Sequence, residues 1–227
     1  MVFMHRIFFL FAMFLLTTLH TRPIPITDGF EKISMSPEVY VCAHFLSDAE
    51  CDHIIELAKP ELQRSTVLNE QKSGSFVDRR RTSLGMFLPQ ISHDRVISSI
   101  HKRIAEITKI PEANGEGMQV LYYGVGAEYQ PHFDYFNFHT AGGEVQIKRG
   151  GQRVATFIIY LNTPEEGGAT IFPLGKFNVA AEKGKAILFY NMNESDLVDP
   201  QSFHGGAPVI KGEKWIVTRW LRERAFH

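Results

Sequence analysis

Two histidines and one aspartate form the clearest chemical signal in this chain. His132 and Asp134 lie two residues apart, and His204 follows far downstream. Residues two apart on a β-strand point to the same face, so the first pair could bind one ion while Phe133 packs behind it. Two imidazoles and one carboxylate make up the facial triad that holds non-haem Fe(II) and leaves coordination positions open. The three residues therefore predict an iron site.

Lys214 is a further candidate, ten residues after His204. It begins a predicted strand on which Lys214, Ile216, Thr218 and Trp220 share one face. An isolated ammonium group is costly to bury, so a lysine on an inward apolar face needs an anion. The alternative is a solvent-facing lysine at the start of the strand, because lysines are rarely buried without a partner.

The elements that must position these residues follow a simple order along the chain. Ser47 and Glu50 form a capping-box pattern for a helix that ends near Lys59, and a second amphipathic helix is predicted over 93–108. Short segments rich in β-branched and aromatic residues are predicted strands at 39–46, 117–123, 129–135, 154–161, 169–172, 185–190 and 214–221. This pattern predicts a mainly β domain of the α+β class, a jelly roll with the N-terminal helices packed on one face.

Composition is that of one ordinary globular domain. The 227 residues are 44% hydrophobic, and 24 basic residues nearly balance 25 acidic ones, so no nucleic-acid partner is expected. The short basic run at 79–81 is interpreted as a solvated loop. Cys42 and Cys51 are the only cysteines, which excludes a disulfide framework and a cysteine-rich zinc site. A buried thiol is the favoured interpretation of Cys51.

The N-terminal segment has the pattern of a secretory signal. A positively charged start precedes a wholly apolar run at 7–16. That run is shorter than the about 20 residues of a membrane span, which favours a signal peptide over an uncleaved anchor. We therefore divide the chain into a signal peptide or signal anchor at 1–22, a Pro-rich linker at 23–36 and a domain at 37–227. The expected location is the secretory pathway, in the endoplasmic reticulum lumen or exported, with 7–19 as the membrane tether if the segment is retained.

The sequence resembles the catalytic domain of the prolyl 4-hydroxylases in their short, stand-alone form. The resemblance spans roughly residues 37 to 222. It is carried by residues 45–51, 81–83, 121–134, 150–156, 160–162, 165–170, 172–173, 204–205, 208–209 and 211–215. One departure is Ala169, where the family often has Glu.

The resemblance implies a double-stranded β-helix, which is a jelly roll. It also implies hydroxylation of peptidyl proline to 4-hydroxyproline, with Fe(II), 2-oxoglutarate, O2 and ascorbate as cofactors and succinate and CO2 as products. It assigns iron to His132, Asp134 and His204, the 2-oxoglutarate to Lys214, Tyr123 and Thr170, and the peptide side of the pocket to Tyr129, Arg153 and Trp220. The expected partner is a proline-rich or collagen-like peptide, bound by a monomer. The loops at 62–83 and 135–152 are candidates to close over it.

Two other functions stay open from the residues alone. The protein could be a 2-oxoglutarate oxygenase that acts on another residue or on a small molecule, because fold and ligands are shared across chemistries. It could also be a non-catalytic jelly-roll binding module that holds metal. A closed structural site would need a fourth protein ligand, for which His139 is the nearest candidate. Ordinary packing is the alternative role for the aromatic residues of the pocket.

Overall fold

The computed structural model describes residues 29–72, 74–89 and 93–227. The predicted signal peptide or anchor at 1–22 lies outside the described residues, as do residues 23–28 of the predicted linker. The helices are α1 Asp48–Ala58, α2 Arg95–Thr108 and α3 Ala141–Lys148, with single 3-10 turns at Lys59–Glu61, Glu112–Asn114 and Pro200–Ser202. Within these ranges, no helix is long and apolar enough to cross a bilayer.

Sixteen strands are present in the described part of the chain. They are β1 Phe30–Met35, β2 Glu38–Cys42, β3 Gln63–Arg64, β4 Val67–Leu68, β5 Ser75–Phe76, β6 Leu84–Phe87, β7 Gln119–Tyr123, β8 Tyr129–His132, β9 Arg153–Tyr160, β10 Glu166–Gly167, β11 Thr170–Phe172, β12 Phe177–Val179, β13 Ala186–Tyr190, β14 His204–Gly206, β15 Val209–Lys211 and β16 Lys214–Arg222. The major sheet has the order β1-β2-β13-β9-β16-β7-β6-β3, and a minor sheet has the order β12-β11-β14-β8. Neighbouring strands are antiparallel in both sheets. Two short antiparallel pairs, β4 with β5 and β10 with β15, complete the jelly roll.

Two layers of buried side chains hold the domain together. Successive side chains of the central strand β16 point alternately into one layer and the other. Trp215 and Val217 point to the layer between the major sheet and the helices, whereas Ile216 points to the layer between the two sheets. The apolar stripe of α2, which includes Ile100, is fully buried against the first layer. Each such isoleucine contributes about 1.5–3 kcal/mol relative to an exposed one. The predicted packing of the helices on one face of a jelly roll is therefore confirmed.

The predicted linker at 23–36 needs correction at its end. Phe30–Met35 forms strand β1, which pairs with β2 and extends the major sheet. Phe30 also packs on Phe45 and Phe157, with ring centroids 6.3 and 6.0 Å apart. The segment is therefore part of the domain, because the partly buried side chain of Phe30 packs against the core and its backbone forms the edge strand of the sheet. All seven predicted strands are found; the last one extends one residue further than predicted, and each of the others is one to four residues short at one end.

Candidate active site

The two histidines of the triad face each other across a pair of strands in the minor sheet. β14 pairs with β8 so that His204 lies opposite His132, and their ring centroids are 4.5 Å apart. Gly205 allows this approach, since a Cβ there would lie 2.9 Å from the carbonyl oxygen of Tyr129. The cross-strand register, rather than either strand alone, brings the distant histidine to the pair.

Asp134 completes the cluster from just beyond the end of β8. Its Oδ1 lies 3.5 Å from His132 Nε2, and its Oδ2 lies 3.5 Å from His204 Nε2. One ligand atom from each residue lies within 4.8 Å of the others. The structure thus brings the three predicted residues together. The carboxylate of Asp134 reaches the site through a bend in the chain after His132, and not through the regular alternation of a strand that continues to Asp134.

Hydrogen bonds fix the orientation of all three side chains. His132 Nδ1 donates to the carbonyl of Gln130 at 2.9 Å, and His204 Nδ1 donates to the carbonyl of Ser202 at 3.0 Å. A carbonyl only accepts, so each Nδ1 carries the proton and each Nε2 presents a lone pair. Thr156 donates to Asp134 Oδ2 at 2.7 Å. Partners of this kind set the tautomer and orientation of metal ligands.

Burial and mutual electrostatics give these groups the protonation states that metal binding requires. Burial alone would raise the pKa of Asp134, but His204, His132 and Arg153 outweigh it and hold the pKa well below its usual range. Burial lowers the pKa of His204 to about 4, against the opposing effect of Asp134. The site therefore presents a carboxylate and a neutral imidazole near neutral pH.

The donor set suits an open ferrous site. Two imidazoles and one carboxylate on one side of an ion leave positions for further ligands. His139 does not join the cluster among the described residues; it is exposed and packs beside Phe138. The fourth protein ligand that a closed structural site needs is therefore not supplied by the candidate that the sequence offered.

Lys214 lies at the base of the same pocket and is 2% exposed. It pairs in register with Tyr123, and its ammonium lies 5.2 Å from the Tyr123 ring and 5.6 Å from the Tyr160 ring. Burial lowers the pKa of Lys214 to about 7. An ammonium this deeply buried needs an anion, and a carboxylate of a bound small molecule would supply one.

The pocket brings together eight of the nine predicted residues. Its lining includes His132, Asp134, His204, Lys214, Tyr123, Thr170, Tyr129 and Trp220. Thr170 accepts a hydrogen bond from Tyr160 at 2.6 Å, and the Tyr129 ring stacks on the His132 ring at 3.6 Å. Arg153 does not line the pocket. It packs on Trp220, with its guanidinium carbon 3.9 Å from the ring centroid.

Several features of the site differ from the sequence prediction. Phe133 does not pack behind the ligands in the core; it is 40% exposed and contacts Tyr135 and Phe203 on the outer side of the minor sheet. Arg81 is not part of a solvated loop; it is 6% exposed, lines the pocket and donates to Gln119 at 2.8 Å. Its position in the 81–83 motif was the signal that could have identified it.

Comparisons with known proteins agree with this geometry. Residues 118–222 match the model of the 2OG-Fe(II) oxygenase superfamily. A collagen prolyl hydroxylase of Paramecium bursaria Chlorella virus-1, solved as a complex with 2-oxoglutarate, is 29% identical with a TM-score of 0.62; the match covers 81% of this chain and 95% of that one. A prolyl-4-hydroxylase of Pseudomonas putida, 18% identical with a TM-score of 0.52 over 82% and 92% of the two chains, shares the fold. The fold and site therefore define an oxygenase that uses Fe(II), 2-oxoglutarate and O2.

Relatives from Arabidopsis thaliana identify the family. Prolyl 4-hydroxylase 5 is 43% identical, over 86% of this chain and 72% of its own length, and prolyl 4-hydroxylase 1 is 41% identical over 86% and 72%. This chain belongs to the prolyl 4-hydroxylase family. The predicted family, fold class and cofactors Fe(II) and 2-oxoglutarate are thereby confirmed.

Proposed function

We propose that this protein hydroxylates proline residues of a peptide at carbon 4, with conversion of 2-oxoglutarate and O2 to succinate and CO2. The observation that carries the proposal is the buried ammonium of Lys214 in the same pocket as the open triad. An oxygenase needs both a metal with free positions and a means of fixing its ketoacid, whereas a metal-holding module needs neither. Membership of the prolyl 4-hydroxylase family supports proline as the target.

His132, Asp134 and His204 would hold the iron. When bound, iron and 2-oxoglutarate supply the oxidising chemistry that activates O2 toward a C–H bond. The protein itself orients the metal ligands and excludes water from the site. Thr156 fixes Asp134 and is itself held by the side-chain amide of Asn191, which donates to Thr156 Oγ1 at 2.9 Å. This buried relay keeps the carboxylate in one position.

Lys214 would bind the distal carboxylate of 2-oxoglutarate through a charge-assisted hydrogen bond. Tyr123 lies beside it on β7, and Thr170 approaches from β11 on the opposing sheet. The two sheets thus enclose the proposed cosubstrate from both sides. Gly206 also lines this part of the pocket, and a Cβ there would lie 3.6 Å from the Lys214 ammonium, within ordinary contact distance.

The peptide would enter past Tyr129 and Trp220, which line the same pocket. Aromatic surfaces suit a proline-rich chain, because a polyproline II segment is already ordered before it binds. The segments at 62–83 and 135–152 remain the candidates to close over it. They already meet, since the amide of Gly142 donates to the carbonyl of Glu70 at 3.0 Å. Phe76 and Val77 on the first segment are 41% and 57% exposed and are available for contact.

The N-terminal pattern supports a further proposal, that the protein enters the secretory pathway. The charged start and the apolar run at 7–16 support this placement. Fluorescent fusions with and without residues 1–22 would separate secretory from cytosolic localisation, and the mass of the mature chain would show whether the segment is retained as a membrane tether.

We also propose that the protein is a monomer, which light scattering of the purified protein would test. We propose ascorbate as the reductant, which is tested by omitting it from the assay.

The reaction is tested by incubating the purified protein with Fe(II), 2-oxoglutarate, ascorbate and a proline-rich peptide. We expect succinate release together with a mass gain of about 16 on proline, the mass of the oxygen atom that this class of iron chemistry inserts. Asp134→Ala should abolish both, because it removes an anionic ligand, and should leave the fold intact by circular dichroism. Asp52→Ala is the matched control, since that carboxylate pairs with Lys183 at the surface.

Each alternative function has its own outcome in this experiment. Succinate release without a modified peptide would indicate an oxygenase for another residue or a small molecule. Neither product, from a folded protein that binds iron, would indicate a binding module and contradict the proposal. Full activity of Asp134→Ala would show that the three residues are not the metal ligands.

A further inference from the structure

From Trp220 in the pocket wall, arginine and aromatic side chains alternate in a continuous series of contacts. We call this series the arginine–aromatic ladder; in order it comprises Trp220, Arg153, Phe136, Arg222, Phe226 and Arg149. The guanidinium carbon to ring centroid distances along it are 3.9, 4.8, 4.5, 5.2 and 4.6 Å. Guanidinium groups within about 6 Å of an aromatic ring are attracted to its face. The ladder therefore links the pocket wall to the segment 223–227.

The middle of the ladder is buried and held by one carboxylate. Arg222 is fully buried, and Phe136 and Glu116 are 5% and 8% exposed. Glu116 Oε1 lies 2.7 Å from Arg153 Nε and 2.8 Å from Arg222 Nε. Two buried guanidinium groups thus share one carboxylate, which fixes their positions relative to each other. A shift of either arginine would leave buried charge without compensation.

The near end of the ladder touches both the peptide wall and the ligand segment. Trp220 lines the pocket, and the guanidinium carbon of Arg153 lies 3.9 Å from the centroid of its ring. Arg153 also directs NH1 to the carbonyl of Asp134 at 3.5 Å. The position of Arg153 therefore sets the Trp220 ring relative to the triad.

The far end of the ladder is tied to the backbone around α3. Arg222 donates to the carbonyls of Gly151 and Gln146 at 2.6 and 3.2 Å. The amide of Phe226 donates to the carbonyl of Ala113 at 2.9 Å, and the side chain of Arg149 donates to the carbonyl of His227 at 3.1 Å. The half-buried Phe226 thus ends the ladder next to backbone that is hydrogen-bonded to the 3-10 turn at Glu112–Asn114 and to Arg149.

We propose that Phe226 and Arg222 are positioning residues for the peptide substrate, because the ladder that they complete holds Arg153 and Trp220 in place at the pocket wall. Neither residue touches the pocket, so they act through their contacts. The inference rests on the proposed function, since it concerns the peptide side of the same site. It requires that weakening the far end of the ladder alters peptide binding and leaves 2-oxoglutarate binding, at the Lys214 side, unchanged.

The test compares three variants of the full chain. Phe226→Leu keeps an apolar side chain but removes the ring face, and we expect the peptide KM to rise roughly fivefold, with the KM for 2-oxoglutarate unchanged. Phe226→Tyr keeps the ring and should behave like the wild type. Arg224→Ala is the control within the same segment, since this exposed arginine lies outside the ladder. Should Phe226→Leu fail to fold, Arg222→Lys, which keeps the charge but loses the planar face, carries the same expectation.

A spectroscopic measurement separates positioning from general stability. The chain has two tryptophans, and Trp215 faces the helices, so the peptide-dependent change in fluorescence reports Trp220. Titration of the iron-free protein with a proline-rich peptide should give weaker binding in Phe226→Leu. A lower melting temperature with unchanged peptide KM and unchanged titration would overturn the inference. An inactive wild type would instead overturn the proposed function and the inference with it.

Discussion

At the scale of single residues, the buried ammonium of Lys214 indicates that the ligand of the pocket carries a negative charge. The residue is 2% exposed, and its pKa is lowered to about 7 by burial, without an opposing carboxylate among the causes. Only the protonated form can attract the distal carboxylate of 2-oxoglutarate. Because the pKa in the free protein is lowered, the charged form dominates below about pH 7 and is lost as the pH rises through that value.

The apparent KM for 2-oxoglutarate should therefore rise with pH. With a pKa of about 7, the protonated fraction falls about tenfold between pH 6 and pH 8, and the KM should rise by about the same factor. Steady-state rates over this range at saturating peptide check the expectation. Lys214→Ala should have a high KM with a flat pH profile, and its peptide KM should be unchanged. A pH-independent KM in the wild type would contradict the role of Lys214.

The residues of the site were predictable to different degrees. His132 and Asp134 stand two apart, so local spacing marks them; the distant His204 was proposed from the ligand types of a facial triad, and the resemblance implies the same residue. Thr156 and Glu116 could not be predicted, because their roles depend on contacts with residues distant in sequence. Phe133 was assigned to the core because alternation was extended past the end of β8.

At the scale of elements, the N-terminus of α2 is fixed by one carboxylate. Asp94 Oδ1 accepts from the amides of Val96 and Ile97 at 2.9 and 3.0 Å, and Oδ2 lies 2.8 Å from His53 Nε2. This cap explains why the helix begins at Arg95 and not at residue 93, where the prediction began it. The interaction with His53 also ties α2 to α1.

Asp94→Ala should lower the free energy of unfolding by about 1 kcal/mol, the usual cost of losing an N-cap. Asp94→Asn retains a capping oxygen and should lose much less. Urea denaturation of both variants measures the difference. Both should keep wild-type kcat/KM, because α2 packs on the face of the major sheet opposite the pocket. Equal stability of Asp94→Ala and Asp94→Asn would show that the cap contributes little.

Elements with strong local signals were predicted, and those without them were not. The hydrophobic periodicity and the capping residues predicted α1 and α2, and runs of β-branched residues predicted the long strands. α3 was missed because Gly142 and Gly143 disfavour a helix. Both glycines are required by packing, since a Cβ at either would overlap a carbonyl oxygen, of Asn69 or of Asn137. Two-residue strands such as β3 are too short for any sequence period.

At the scale of the whole molecule, the domain is held together without a disulfide. Cys42 and Cys51 are both free and buried, which agrees with the predicted buried thiol. Burial raises the pKa of the Cys51 thiol to about 11, so it is almost entirely protonated near neutral pH. A protonated, inaccessible thiol is not a nucleophile.

Neither thiol should react with an alkylating reagent at pH 8 until the domain unfolds. Mass spectrometry after iodoacetamide treatment should find an unmodified native chain and two modifications in denaturant. Titrating the denaturant should show labelling that follows loss of circular dichroism. Rapid labelling of Cys51 in the native protein would reveal local opening of α1 that the packed structure does not anticipate.

The proposed metal centre depends on one register of β14 against β8, because its two histidines face each other across this strand pair. Side chains alternate along β14, so sliding it by one residue against β8 would turn Phe203 inward and carry His204 to the solvent side. A one-residue slip would therefore leave only one of the two imidazoles on the pocket side. Binding of a transition metal would consequently favour the correct register of these two strands, which no hairpin connects. It would distinguish the native molecule from compact states that contain the same strands in another register.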